Sequence, residues 1–277
     1  MSIRNLAEAA YRTGDFEGAN DSCLRAIQEF QRIDDIASSD FAETLVLEAR
    51  LDNGAGQHEA AQMMAARAVE ILNQAEGDSR MKWYLSAAYG ELAEAQRSLG
   101  DLVSAEKAAQ SGLDVSRLTG DTRQIAARWL NLSGVSVAAG RFDEARVRIA
   151  EAEASSPEYT VLTRQSLLAS ALAGVGMTRE AAEILEVELR RVMDPDNRVV
   201  MEFQLAGLLA TIPNREAEAA GLLAKNKRAI EERFQAREIT SADIATALLT
   251  AEPFDADRKT KSFLYPSSAE GGNPYLG

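Results

Sequence analysis

A single histidine, His58, and a single cysteine, Cys23, stand in a chain of 277 residues. Imidazole and thiol are the side chains that most often serve as base, nucleophile and transition-metal ligand near neutral pH. One of each leaves no histidine pair for a metal and no second thiol for Cys23 to join. A Ser-His-Asp triad would have to use His58, and no motif surrounds it. Carboxylates are plentiful, but pairs such as Glu91 and Glu94 fall at helical spacing on surfaces where they are solvated or salt-bridged. Acid–base catalysis would need them to converge in a defined pocket. Gly54-Ala55-Gly56 has two glycines and no following Lys-Ser or Lys-Thr, so it reads as a helix–helix turn and not a phosphate loop. Cys23 is expected as a small buried hydrophobe and His58 as a packing residue. The reactive residues therefore predict no enzyme, no metal and no cofactor.

The chemistry left is that of binding, and its elements must be found. The chain is 46% hydrophobic, with 6 prolines and 6% aromatics, a helix-forming composition able to build a core. A formal net charge of -13 would repel a phosphate backbone, which argues against nucleic acid as partner. The one basic cluster, Lys225, Lys227, Arg228 and Arg233, is interleaved with Glu231 and Glu232 and reads as a solvated helix face. The first residues show no signal-peptide pattern, and no window approaches the roughly 18 uncharged apolar residues of a membrane span. No membrane partner and a cytoplasmic location are expected.

A short pattern, Gly followed five residues later by Ala, recurs as Gly14…Ala19, Gly56…Ala61, Gly100…Ala105, Gly140…Ala145 and Gly176…Ala181. These anchors stand 42, 44, 40 and 36 residues apart, and a sixth copy, Ile212…Ala217, keeps the Ala without the Gly. Seven residues before the anchors stand Ala7, Ala49, Ala93, Ser133, Ala169 and Leu205; twelve after them stand Ala26, Ala68, Gly112, Ala152, Glu188 and Ala224. Such a period signals stacked helix–turn–helix units. The Gly ends the first helix, and the small residues mark where two helices come closest. Leu92, Leu99, Leu113, Trp129, Leu132 and Leu168 are expected to fill the gaps. Asp40-Phe41-Ala42-Glu43 reads as a capping box, Ser79 and Asp121 or Thr122 as N-caps, Thr119-Gly120 as a helix end, and Asp194-Pro195-Asp196-Asn197 as a turn.

Trp129-x-x-Leu132-Ser133, Gly140-x-Phe142-x-x-Ala145, Ala152 and Pro157 together resemble a complete tetratricopeptide repeat. The long periods are similar to those of kinesin light chains and of bacterial regulators with helical-repeat sensor regions. The resemblance covers roughly the first 235 residues. It implies an all-α, right-handed solenoid of about six antiparallel helix pairs over residues 1–237. A capping helix at 238–251 would follow, then a tail at 252–277 rich in Pro and Gly whose aromatic clusters include Phe263, Leu264, Tyr265 and Tyr275.

The resemblance also implies where a partner would lie. In that family the first helix of each unit lines the binding face, at positions thirteen, ten, nine and six before each anchor. Carried over, these are Glu43, Val46, Leu47 and Arg50; Ala87, Gly90, Glu91 and Glu94; Ala127, Leu130, Asn131 and Gly134; Thr163, Ser166, Leu167 and Ser170. The clamp for a chaperone's C-terminal carboxylate that some members carry is largely missing, with only Asn131 in place. Arg50, Leu47, Glu91, Glu94, Leu130, Asn131, Leu167 and Ser170 are the expected contacts. Asn131 leads because its amide both donates to and accepts from a peptide backbone. The face reads as acidic around the third unit, suiting a partner with apolar anchors and basic residues, with small residues leaving room beside the backbone. The function expected is a non-enzymatic adaptor for a protein or peptide. A ligand-responsive regulator acting through a separate chain is the second reading, and an enzyme with an unrecognised site the third. The tail aromatics read either as packing loosely on the last helices or as a docking segment for this chain's own groove or a partner, the latter a route to self-association.

Overall fold

The computed structural model describes residues 6–7, 9–11, 15–74, 79–158, 161–192 and 195–234. The expected capping helix at 238–251 and the tail with Phe263, Leu264, Tyr265 and Tyr275 lie outside the described residues. After a helical stretch that includes residues 9–11, the helices run α1 Phe16–Arg32, α2 Ser39–Gly54, α3 His58–Gln74, α4 Ser79–Ser98, α5 Leu102–Thr119, α6 Thr122–Ala138, α7 Phe142–Ser155, α8 Val161–Gly174, α9 Thr178–Leu189, α10 Pro195–Ala210 and α11 Glu216–Phe234. Among the described residues there is no strand. Consecutive helices pair as hairpins, α2 with α3, α4 with α5, α6 with α7, α8 with α9 and α10 with α11, and each hairpin packs on the next. The result is an α-solenoid of helix pairs.

The glycine anchors close the hairpins through backbone conformation. Gly56, Gly100, Gly140 and Gly176 all have positive φ, from 69° to 85°. The residue after each donates its N–H five residues back, as from Arg141 to Ser136 O at 2.8 Å, which satisfies a carbonyl the helix end would otherwise orphan. Each second helix then starts two residues after the glycine. The small residues do close the contact: Ala49, Ala93, Ser133 and Ala169 are at most 1% exposed, as are Ala61, Ala105, Ala145 and Ala181. In the fourth unit the two positions touch directly, Ser133 Oγ donating to Ala145 O at 3.3 Å.

The sixth unit corrects the sequence register. Its positive φ belongs to Asn214, at 69°, and α11 begins two residues later at Glu216. The anchor is therefore Asn214, 38 residues after Gly176, and not Ile212. Asn is one of the few residues besides Gly that tolerates this conformation, because its short amide bonds locally. The Ala five positions on is Ala219, 1% exposed, whereas Ala217 faces solvent. Seven positions before Asn214 stands Gly207, buried, so the small-residue rule holds in this unit too.

The helix ends bring further corrections. The N-cap of α2 is Ser38, whose Oγ accepts from Phe41 N at 3.2 Å, so Asp40-Phe41-Ala42-Glu43 lies inside the helix. Ser79 is a helical residue of α4. Pro195 opens α10, where its missing N–H costs nothing, so Pro195-Asp196-Asn197 is a helix start and not a turn. Asp121 does cap α6, accepting from the amides of Arg123 and Gln124, and Gly120 does end α5 with φ 70°. Leu99, expected in a gap, is 40% exposed.

A Cβ built on Gly140 meets nothing within 4 Å, so replacement there strains only the backbone. Gly140→Ala is expected to lower unfolding stability by about 1–2 kcal/mol, the cost of a left-handed residue with a side chain. The same change at Gly221, which has an equally open Cβ site within α11, is expected to be neutral or stabilising. Urea unfolding of the two variants checks the contrast.

Candidate functional site

The first helices of successive units touch one another, α2 with α4, α4 with α6 and α6 with α8, and so form a continuous wall. The lining positions meet along it. Arg50 of α2 donates from Nε to Glu91 of α4 at 2.8 Å, with Arg50 30% and Glu91 15% exposed. Asn53 reinforces this junction, its amide donating to the Glu91 backbone oxygen at 2.9 Å. The His58 Nδ1 atom lies 3.4 Å from Asn53 Oδ1. Arg50 also sits 5.7 Å from the centroid of the Tyr11 ring.

Glu94 is paired as well, with both carboxylate oxygens on the Arg97 guanidinium. Burial pushes the Glu94 carboxyl up, but Arg97, with a contribution from His58, outweighs it and holds the group below its ordinary range. Glu43 is 3% exposed and meets Arg80 at 2.8 Å. The third unit is therefore not an acidic surface: each of its lining carboxylates is matched by an arginine. An anionic stripe inviting basic residues is replaced by an internally paired one.

The small lining residues do not leave open space either. A Cβ on Gly90 would stand 1.8 Å from Arg128 Nη1, because that guanidinium reaches back from α6 to donate to Ser86 O at 2.5 Å. At Gly134 the nearest atom is Arg97 Cδ, 3.5 Å away. Ser166 and Ser170 are engaged by Gln204 of α10, whose Nε2 donates to Ser166 O and to Ser170 Oγ, each at 3.0 Å, while Ser166 Oγ donates to Gln204 Oε1 at 2.6 Å. Room that the sequence offered to a ligand is filled by long polar side chains of the neighbouring unit. Arg128 and Gln204 escaped sequence reading because their partners lie on another helix, and Arg97 because the Gly134 it packs beside lies one unit further on. In the corrected register of the sixth unit, Gln204 does fall on a lining position.

Leu47 is 5% exposed and packs with Ala7, Ala19, Cys23 and Leu51; Leu130 is 6% exposed and packs with Ala126 and Ala152. Both are floor beneath the wall. Leu167 is half-buried against the Leu130 cluster. Asn131 is half-buried, and its Oδ1 atom is shielded from solvent with no hydrogen-bond partner. Among the described lining side chains it alone carries a solvent-shielded acceptor without a partner. Among the described residues no three His, Cys, Asp or Glu side chains converge to hold a metal, and no helix is long and apolar enough to cross a membrane.

No protein-family profile matches the sequence, and no curated protein matches it. Solved structures do. A Rap conjugation gene regulator of the plasmid pLS20, in complex with the Phr* peptide, is similar with a TM-score of 0.64 at 16% identity, over 92% of this chain and 73% of that one. Aspartyl phosphate phosphatase F from Bacillus subtilis gives 0.63 at 14% identity, over 92% and 64%. A thermophilic TPR protein of Thermus thermophilus gives 0.51 at 20% identity, over 72% and 95%. The fold is that of a tetratricopeptide-type solenoid. At these identities the likeness is one of architecture, and function must be argued from the wall.

The solenoid's glycine–arginine fit is open to test. Gly90→Ala must expel the Arg128 guanidinium and break its bond to the Ser86 carbonyl. Either Gly90→Ala or Arg128→Met is expected to cost about 1.5–3 kcal/mol, the range for a hydrogen bond to a charged group. The double variant is expected to cost little more than either alone. Additive costs in a double-mutant cycle of urea midpoints would show that Arg128 does not depend on Gly90.

Proposed function

We propose that the chain is a non-enzymatic interaction module that holds a peptide or helix of a partner protein along its first-helix wall, centred on α6. The observation that carries this reading is Asn131. It stands on the wall at the middle of the solenoid, half-exposed, with an unmatched carboxamide oxygen. A shielded acceptor without a donor costs about 1–3 kcal/mol, and a backbone N–H from a bound segment would recover it after rotation of the amide. Leu167 adds apolar surface on α8, and Ser170 stands further along the same helix. Arg50, Glu91 and Glu94 frame the wall as already paired groups, so charge contributes little to affinity and the basic partner first expected is not favoured.

A regulatory role acting through a separate chain is the second reading. Its support is a structural neighbour of similar shape, a gene regulator solved with a bound peptide. Another neighbour is named a phosphatase, but the described lining residues here offer amides, hydroxyls and internally paired acids, with no base–nucleophile pair among them.

A displayed library of random peptides, selected on the purified chain, tests the site whatever the identity of the partner. Asn131→Ala is expected to weaken the selected binders by about tenfold, the worth of one hydrogen bond made in a shielded interface. A control change at Leu118, which is 71% exposed at the end of α5, is expected to leave binding intact. Binders indifferent to Asn131→Ala would move the site off α6.

A further inference from the structure

The helix α2 presents a second set of polar groups away from the wall. Leu47 and Leu51 lie in the apolar cluster that joins the first unit to the second, with Cys23 and Ala19 of α1. Glu48 and Asp52 follow them in sequence, one helical turn apart, and are 3% and 8% exposed. The Cys23 thiol hydrogen-bonds Glu48, yet Glu48 Oε2 has no partner at all. Among the described residues no cation meets either carboxyl.

Among the described residues the charged groups around the pair are engaged elsewhere or face water, and the helical stretch at 9–11, which packs into the same cluster through Ala10 and Tyr11, carries no charged side chain there. On α1, Asp21, Arg25, Glu29 and Arg32 are exposed. On α2 itself, Arg50 is held by Glu91 and Tyr11, and Glu43 by Arg80. On α3, His58 lies against Asn53 and Glu59 is exposed. On α4, Glu91 and Glu94 are taken by Arg50 and Arg97. Two ionised carboxylates cannot be buried side by side without a counter-charge, so the seated arrangement requires protons on them.

We propose that Glu48 and Asp52 form a proton-held latch: while both carboxyls are neutral the first unit stays seated on α2, and loss of their protons releases it. Burial, with Asp52's charge adding to it, pushes Glu48 up to about 8, and burial alone pushes Asp52 up to about 7. In the released state both groups would titrate near the ordinary carboxylate value of about 4. The seated state binds protons more tightly, so seating is strongest below about pH 4 and weakens as pH rises through about 7 to 8. The latch is independent of any ligand on the wall. It does bear on that wall, because α2 also carries the Arg50 and Asn53 contacts to Glu91.

Cys23, the only thiol and 0% exposed, reports release directly. Its alkylation by N-ethylmaleimide would be measured from about pH 5.5 to about pH 9, each rate divided by that of the urea-unfolded chain at the same pH to remove the thiol's own ionisation. Protection is expected to fall on the order of tenfold or more across that range in the wild type and to stay flat in Glu48→Gln/Asp52→Asn. Protection that is constant in the wild type, or that falls equally in both proteins, overturns the latch. Infrared detection of a protonated carboxyl in the wild type at about pH 6 gives a second readout that needs no variant, and absence of that band also overturns it.

Discussion

Two antiparallel helices joined by so short a turn must approach closely, and nearly everything else in this chain follows from how that approach is permitted. A left-handed residue turns the backbone, and a small residue on each helix lets the axes come together. In the fourth unit the second requirement is visible as contact, Ser133 Oγ on Ala145 O. The site facing the next unit answers to the same constraint. A Cβ on Gly174 would fall 2.4 Å from Phe142, so that ring lies flush on the following first helix only because the glycine has no side chain. Overpacking at such points is costly because interiors have no slack to absorb it.

Stacking then dictates where polar groups go. In a solenoid each unit touches only its neighbours, so cohesion is a sum of adjacent interfaces. The cross-unit bonds have this signature. Arg50–Glu91 and Gln124–Trp83 span 41 residues, Arg128–Ser86 and Arg148–Glu106 span 42, and Ser166–Gln204 and Trp83–Asp121 span 38. Each separation is one repeat. A long side chain from one unit reaches a carbonyl, carboxylate or amide of the next, and small residues such as Gly90 mark where it passes. The wall is thereby largely satisfied internally, so under the function proposed above a partner would find only the groups left over.

How much of this was legible in the sequence follows from the range of each interaction. The hairpins were, because Gly140 in the turn and Ala145 in the first turns of α7 lie five residues apart and write a local pattern. The sixth unit was misread by two residues because Asn214 serves the left-handed role without being a glycine, and Ala217 mimicked the anchor's partner. The cap at Ser38 was passed over for Asp40 because Asp40 has Glu43 three residues on, at capping-box spacing, whereas the residue three after Ser38 is Phe41. The pairing of Glu91 and the filling of Gly90 were illegible, since Arg50 and Arg128 lie one repeat away with nothing local to mark them. Asn131 was picked out by its position before the anchor, but its unmatched oxygen depends on what every neighbour does with its own donors.

The inner wall also changes character along its length, and this bears on what a partner can gain there. From α2 to α4 the contacts are ionic, Arg80–Glu43, Arg50–Glu91 and Glu94–Arg97. From α8 to α10 they are neutral, a serine pair closed by Gln204. A ligand displacing a paired arginine must strand a half-buried carboxylate, at a cost above what one new contact returns. Displacing a glutamine costs a neutral hydrogen bond at most. Adaptation to a bound segment is therefore cheaper toward the C-terminal half, while the ionic half acts as a stiff frame. Asn131 lies on α6, between the two regimes, where an unmatched acceptor can be satisfied without breaking either.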